Sequence, residues 1–175
     1  MPRIVNIEGA NPSVAYTINV TTNPEVPGPP FAVGTIGIGE NGEQWLFCKL
    51  AASQTIAAGN AVYVSDHANF VITSLANAAK ALRGAFVGIA GAAATSGATS
   101  YEYIWIQRAG YLASANCLTG SLANTVLHTT ATTGRLDDTA VGGTSATVDG
   151  IVQLATAASN VAPVILNFPV IGVAD

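Results

Sequence analysis

The chain's reactive stock is small: two histidines, two cysteines and ten acidic residues in 175 positions, so spacing decides what chemistry is open to them. His67, in "SDHANF", and His128, in "TVLHTTA", have no carboxylate or thiol at ligand spacing, which argues against a zinc site. Asp66, Asp137, Asp138 and Asp149 sit in turns rich in Gly and Thr, where aspartates bond their own backbone. The alternating acidic pattern of a calcium loop is missing. No Ser stands on a G-x-S-x-G elbow. "GIGENG" matches G-x-G-x-x-G through Gly37, Gly39 and Gly42. A dinucleotide site would need a helix next, but "EQWLFCKL" alternates like a strand, so Asn41-Gly42 reads as a hairpin turn. The remaining set is aromatic. Trp45, Tyr101, Tyr103 and Trp105 could stack on sugar rings, but the same residues fill β cores and subunit interfaces, and that second reading is preferred. No catalytic residue, cofactor or metal is expected.

The composition narrows the partners. Charged residues are 9% and the hydrophobic class 50%, with a net charge of −4. Arg3, Lys49, Lys80, Arg83, Arg108 and Arg135 are scattered, so no basic cluster exists to track phosphates, and no nucleic acid is expected. No apolar run approaches the ~20 residues of a membrane helix, and no secretory leader is visible at the N-terminus. A surface this poor in charge is kept soluble by Thr, Ser, Asn and Gly, or it is covered by further copies or a partner. Cys48 shares a strand face with Leu46 and Leu50, and a buried free thiol is expected there.

The elements that must position these residues are strands. Alternating runs occur at 43–50, 60–66, 85–91, 101–108, 125–131, 150–155 and 162–170, separated by Gly and polar turns. That spacing predicts an all-β sandwich or barrel-like body of short antiparallel strands. One short helix is expected at 74–84, with Leu75, Ala78, Ala79 and Leu82 on one face. Residues 1–33 read as an extended N-terminal arm, in which Pro24, Pro27, Pro29 and Pro30 remove backbone donors and force an extended course. Residues 34–175 form the body. A faint echo of 87–107 in 149–169 suggests two similar β units, about 44–110 and 111–170.

"YEYIWIQR" poses the sharpest question. Tyr101, Tyr103, Trp105 and Gln107 share one face and Glu102, Ile104, Ile106 and Arg108 the other, yet both faces are mostly apolar. Ile104 and Ile106 are expected to face inward. The aromatic face should pack on a second sheet or a sister subunit, with Glu102 and Arg108 marking the ends of that cover.

The stretch "TIAAGNAVYVSDHANFVITSLANAAKALRGAFVGIAGAAATSGATSYEYIWIQRAG" resembles the capsid cement proteins of tailed phages, also called head decoration proteins. The residues that carry the likeness are Ala58-Gly59-Asn60, the strand Val62 to Ser65, Val87-Gly88-Ile89-Ala90 and Trp105-Ile106-Gln107. Gly134-Arg135-Leu136 and Phe168-Pro169 are similar too, so the likeness covers most of 44–170 but not the arm. It implies a non-enzymatic virion protein on the capsid exterior, assembled in the host cytoplasm. Its partners would be the major capsid protein and its own copies, a homotrimer being favoured. The interface residues expected on this reading are Pro24, Pro27, Pro29, Pro30 and Phe31 of the arm, with Tyr101, Tyr103 and Trp105. The alternative is a receptor- or glycan-binding fibre module of a virion that uses the same aromatic face.

Overall fold

A computed structural model of the chain describes residues 3–19, 28–97 and 100–174. Thirteen strands account for nearly all its regular structure. They are β1 (Tyr16–Asn19), β2 (Ile36–Ile38), β3 (Gln44–Leu50), β4 (Thr55–Ile56), β5 (Ala61–Asp66), β6 (Val71–Ser74) and β7 (Val87–Ala90). There follow β8 (Ala94–Thr95), β9 (Ser100–Asn116), β10 (His128–Thr129), β11 (Leu136–Asp137), β12 (Ala146–Gln153) and β13 (Val161–Ala174). The all-β expectation holds. The helix expected at 74–84 is a single 3-10 turn, Asn77–Ala81. Ser74 belongs to β6 instead of capping it, the N-cap position is held by Ala76, which has no side-chain acceptor, and the Asn77 amide donates to the Thr130 carbonyl at 3.0 Å. Ala79 is the one buried residue of the turn, too small an anchor to hold a longer helix in place.

Five strands close on themselves. β9 pairs with β7, β7 with β5, β5 with β6, β6 with β3, and β3 returns to β9. All contacts in this ring are antiparallel except β3 to β6, which is parallel over Lys49↔Val71 and Leu50↔Ile72. Closure removes the unpaired edges that a sheet of short strands would otherwise present. Leu46, Cys48, Val62, Val64, Ile72, Ile104 and Ile106 fill the interior. Ile104 and Ile106 therefore point inward as the alternation predicts.

β9 extends well past the alternating run at 101–108. It runs 17 residues through the ring and beyond. Up to Ala109 it pairs with β3; from Ala109 to Asn116 it pairs with β13 on its other edge. The exchange happens at Gly110, whose φ of +92° is left-handed and suits glycine. Gln107 steadies the kink, its Nε2 donating to the carbonyls of Ala109 at 3.1 Å and Tyr111 at 2.9 Å.

Beyond the ring, β13 pairs with β12, β12 with β10 and β10 with β11. Their inner residues, among them Leu136, Val148, Val164 and Leu166, form a second core with Leu127, just before β10, and with Val87 and Ile89 from the outer side of the ring. β7 is thus buried on both faces, which explains why "VGIA" is a continuous apolar run. The echo noted above falls on two antiparallel pairs, β7 with β9 and β12 with β13, one for each core. Cys48 and Cys117 are free and buried, one in each core. Burial pushes both thiols up, Cys117 to about 12.

Candidate functional site

The outward face of β9 is closed by the chain's own N-terminal segment. β1 adds to the edge of β9 in the register Tyr16↔Tyr103 and Ile18↔Tyr101. Upstream, the Val5 amide donates to the Ile38 carbonyl at 2.8 Å, and the Ile38 amide to Asn6 Oδ1 at 2.6 Å, so the segment also follows β2. Phe31 then returns across the face. Its ring lies 5.4 Å from Trp105, 5.3 Å from Phe47 and 5.7 Å from Tyr16, mostly edge-on. Phe47 stacks on Tyr103 at 5.8 Å. Each such pair adds about 0.5–1.5 kcal/mol to the burial of its rings. The result is a third core of Ile4, Trp45, Phe47, Tyr103 and Trp105, with Tyr16, Ile18 and Phe31 packed against it.

This places the residues singled out in the sequence. Trp105 is fully enclosed and Tyr103 nearly so; neither offers surface to a partner. The cover expected from a second sheet or a sister subunit comes instead from residues 4–18 and Phe31, because that segment carries apolar side chains at strand spacing. Tyr101 is half-buried, with Lys49 Nζ 3.5 Å above its ring centre. Pro29 is half-buried and Pro30 exposed, whereas Pro24 and Pro27 lie outside the described residues. Glu102 does not mark the end of the cover: it is buried, and its Oε2 accepts a 2.9 Å hydrogen bond from Thr17 Oγ1 in β1.

What remains open is the far half of the sheet. Val152, Ile165 and Tyr111 are direct cross-strand neighbours on β12, β13 and β9, and they are 45%, 45% and 55% exposed. Nearby, the Arg108 guanidinium sits 4.3 Å from the Phe86 ring and 5.8 Å from the Phe168 ring, and His67 meets Phe86 edge-on at 4.7 Å. Phe168 holds a left-handed φ of +49°, uncommon for a bulky side chain, and is 47% exposed. Sequence reasoning missed these groups. Their members come from segments distant in the chain: His67, Arg108 and Phe168-Pro169 were each noted in the sequence, but nothing there brought them together.

"GIGENG" forms the expected hairpin between β2 and β3, with the Gly39 amide donating to the Glu43 carbonyl at 2.7 Å. Burial alone would push the Glu43 carboxyl up. Its own amide and the side-chain and backbone donors of Asn41, both at 3.1 Å, outweigh burial and hold it below the usual carboxylate value. A lowered carboxyl stabilises the fold above its unfolded value near 4.3 and loses that contribution as pH falls through the folded value. Glu43→Gln should therefore lower the melting temperature at pH 7 and leave it nearly unchanged at pH 3. An equal deficit at both pH values would show that charge at Glu43 plays no part.

Among the described residues no group of three or more His, Cys, Asp or Glu could hold a metal ion. No helix of the structure is long and apolar enough to cross a membrane. Set against protein-family models, curated proteins and solved structures, the chain matches none. The fold itself defines a class: an all-β protein built on a barrel-like ring, whose aromatic flank is closed by its own N-terminal segment.

Proposed function

We propose that the chain is a non-enzymatic virion structural protein that binds the outer surface of a phage capsid and stabilises it. The observation that carries this reading is the uncharged apolar stripe of Val152, Ile165 and Tyr111 on an open sheet, in a chain with 9% charged residues. A contiguous apolar stripe free of charge suits the centre of an interface, where charged residues are depleted. The likeness of 44–170 to capsid cement proteins supplies the partner, the major capsid protein, and favours a homotrimer. Symmetry would then multiply a modest contact at each site by avidity.

The receptor- or glycan-binding alternative drew on Trp45, Tyr101, Tyr103 and Trp105 as a platform, and the enclosure of Trp45, Tyr103 and Trp105 leaves that face without one. Mixing is the direct test. Purified protein added to undecorated shells of the same virus should co-sediment at a fixed stoichiometry and raise the shells' melting temperature by several degrees. Ile165→Asp should abolish both effects while the free protein stays folded. Failure of the wild-type protein to bind shells would sink the proposal.

A further inference from the structure

Phe168 is exposed at a position where the alternation of its strand would bury it. Leu166 is buried and Asn167 exposed, and the left-handed φ of Phe168 then breaks the pattern and leaves its ring outside. Backbone outliers of this kind in bulky residues cluster at functional sites. Asn167 pairs with Ala109, so Phe168 and Arg108 come next along β13 and β9. We propose that Arg108, bordered by Phe86 and Phe168, binds the carboxylate of an acidic residue on a partner protein, with an apolar neighbour of that residue lying on the two rings.

The guanidinium carries the argument. Its Nε donates to the Val87 carbonyl at 3.3 Å and its Nη2 to the Pro169 carbonyl at 3.4 Å. Charge-assisted bonds to a carboxylate are shorter, about 2.7–2.9 Å. Nη1 makes no bond to the described residues, and it is not sealed from solvent as Trp45 Nε1 and Trp105 Nε1 are. Among the described residues no Asp or Glu acts on the group. The one titratable side chain that does, the Cys48 thiol, is pushed up by burial and carries no charge at neutral pH. Arg108 is thus a half-buried cation that has lost part of its hydration and has no counter-charge. An incoming carboxylate supplies one.

Other ligand groups suit the place less well. A lysine or arginine would be repelled, and a neutral amide cannot balance the charge. A phosphate carries up to about two charges and is matched by a cluster of cations, whereas Arg108 is the only Lys or Arg seated on these rings among the described residues. A carboxylate fits the planar fork of a single guanidinium. Phe86 and Phe168, 37% and 47% exposed, lie 4.3 and 5.8 Å from that group and offer apolar surface beside it. Arginine and aromatic side chains are the types enriched at interfaces. The surface also continues into the apolar stripe, since Tyr111 and Ile165 face each other farther along the same two strands. The inference rests on the capsid reading only in taking the partner to be a protein.

An array of short peptides tests it, each with one Glu or Asp between apolar residues, beside copies that carry Gln, Asn or phosphoserine at that position. Retention on the acidic peptides and loss on their amide counterparts is expected. The best acidic peptide is then titrated by calorimetry. Arg108→Gln should weaken it roughly tenfold or more, and Arg108→Lys by less, since lysine keeps the charge without the fork. Phe168→Asn removes the ring while tolerating the left-handed backbone, so it folds even if Arg108→Gln does not, and it should weaken the peptide several-fold. A blank array would overturn the proposal, as would equal retention on amide peptides, a preference for phosphoserine, or unchanged affinity in either Arg108→Gln or Phe168→Asn. Shell binding is a separate result: its failure sinks the capsid reading, while the array decides this one.

Discussion

Trp105→Ala should cost the fold about 3–5 kcal/mol, the cost of truncating a fully buried tryptophan. In a chain of this size each kcal/mol lowers the melting temperature by roughly 2–4 °C, so a fall of about 6–20 °C is expected. Trp105 is fully buried and its ring touches Phe31 and Phe47, at 5.4 and 5.0 Å between centres. Its indole Nε1 has no hydrogen-bond partner among the described residues, so the loss is one of packing. The alanine would leave a cavity between strand β9 and the N-terminal segment, and neither side can collapse into it freely: β9 is held in the ring and the segment by β1 and β2. Should the alanine variant fail to accumulate, Trp105→Phe keeps most of the volume and should show a smaller fall in the same direction. Differential scanning calorimetry reads both. A melting temperature within about 2 °C of wild type for the alanine variant would mean that the segment does not close over this face.

The second expected effect is steric. A Cβ at Gly91 would overlap the Pro12 carbonyl oxygen and come within 3.0 Å of Trp45 Cζ3 and 3.1 Å of the Trp105 carbonyl oxygen. The Trp105 side cannot yield, because the Gly91 amide donates to that same carbonyl at 2.9 Å. Gly91→Val should therefore push the N-terminal segment off the ring. Overpacking of this kind costs about 1–3 kcal/mol. Limited proteolysis should cut within residues 3–19 several times faster than in wild type, and tryptophan emission should shift to the red as Trp45 and Trp105 meet water. Gly142→Val is the control, since nothing stands within 4 Å of a Cβ there. A Gly91→Val protein as protease-resistant as wild type would contradict the close approach of Pro12.

Several parts of this molecule could be read in advance. The runs at 43–50, 60–66, 85–91 and 162–170 fall on β3, β5, β7 and β13, because alternation and turn residues are written locally, whereas 150–155 catches only the end of β12, which begins at Ala146 in a stretch read as a turn, and 125–131 only the two residues of β10. The hairpin at Asn41-Gly42 and the inward pair Ile104 and Ile106 were legible for the same reason. The helix at 74–84 was not, because its stripe of Leu75, Ala78, Ala79 and Leu82 takes no account of Leu75 being buried in the second core while Leu82 is left 42% exposed. The run at 101–108 marks only the ring half of β9, and the role of Gly110 as a kink within one strand was not legible, because it depends on the exchange of partners from β3 to β13. A cleft of about 650 Å3 beside the β2–β3 turn could not be seen at all: Trp45, Gln107 and Ser13 are brought to its walls only by strand register and the path of the N-terminal segment.

The two-faced strand "YEYIWIQR" shows where the boundary lies. Alternation alone required that both its faces be covered, since the Ile104 and Ile106 side and the Tyr103 and Trp105 side are each too apolar to meet water. Which covers they are is a matter of partners far apart in the chain. The tertiary structure chose the ring interior for one and the chain's own residues 4–18 and Phe31 for the other. Local sequence sets whether a segment is a strand and which side chains share a face. Closure of β3 on β9 and the docking of the N-terminal segment depend on the total apolar surface buried between distant segments, and that sum exists only once the chain has folded.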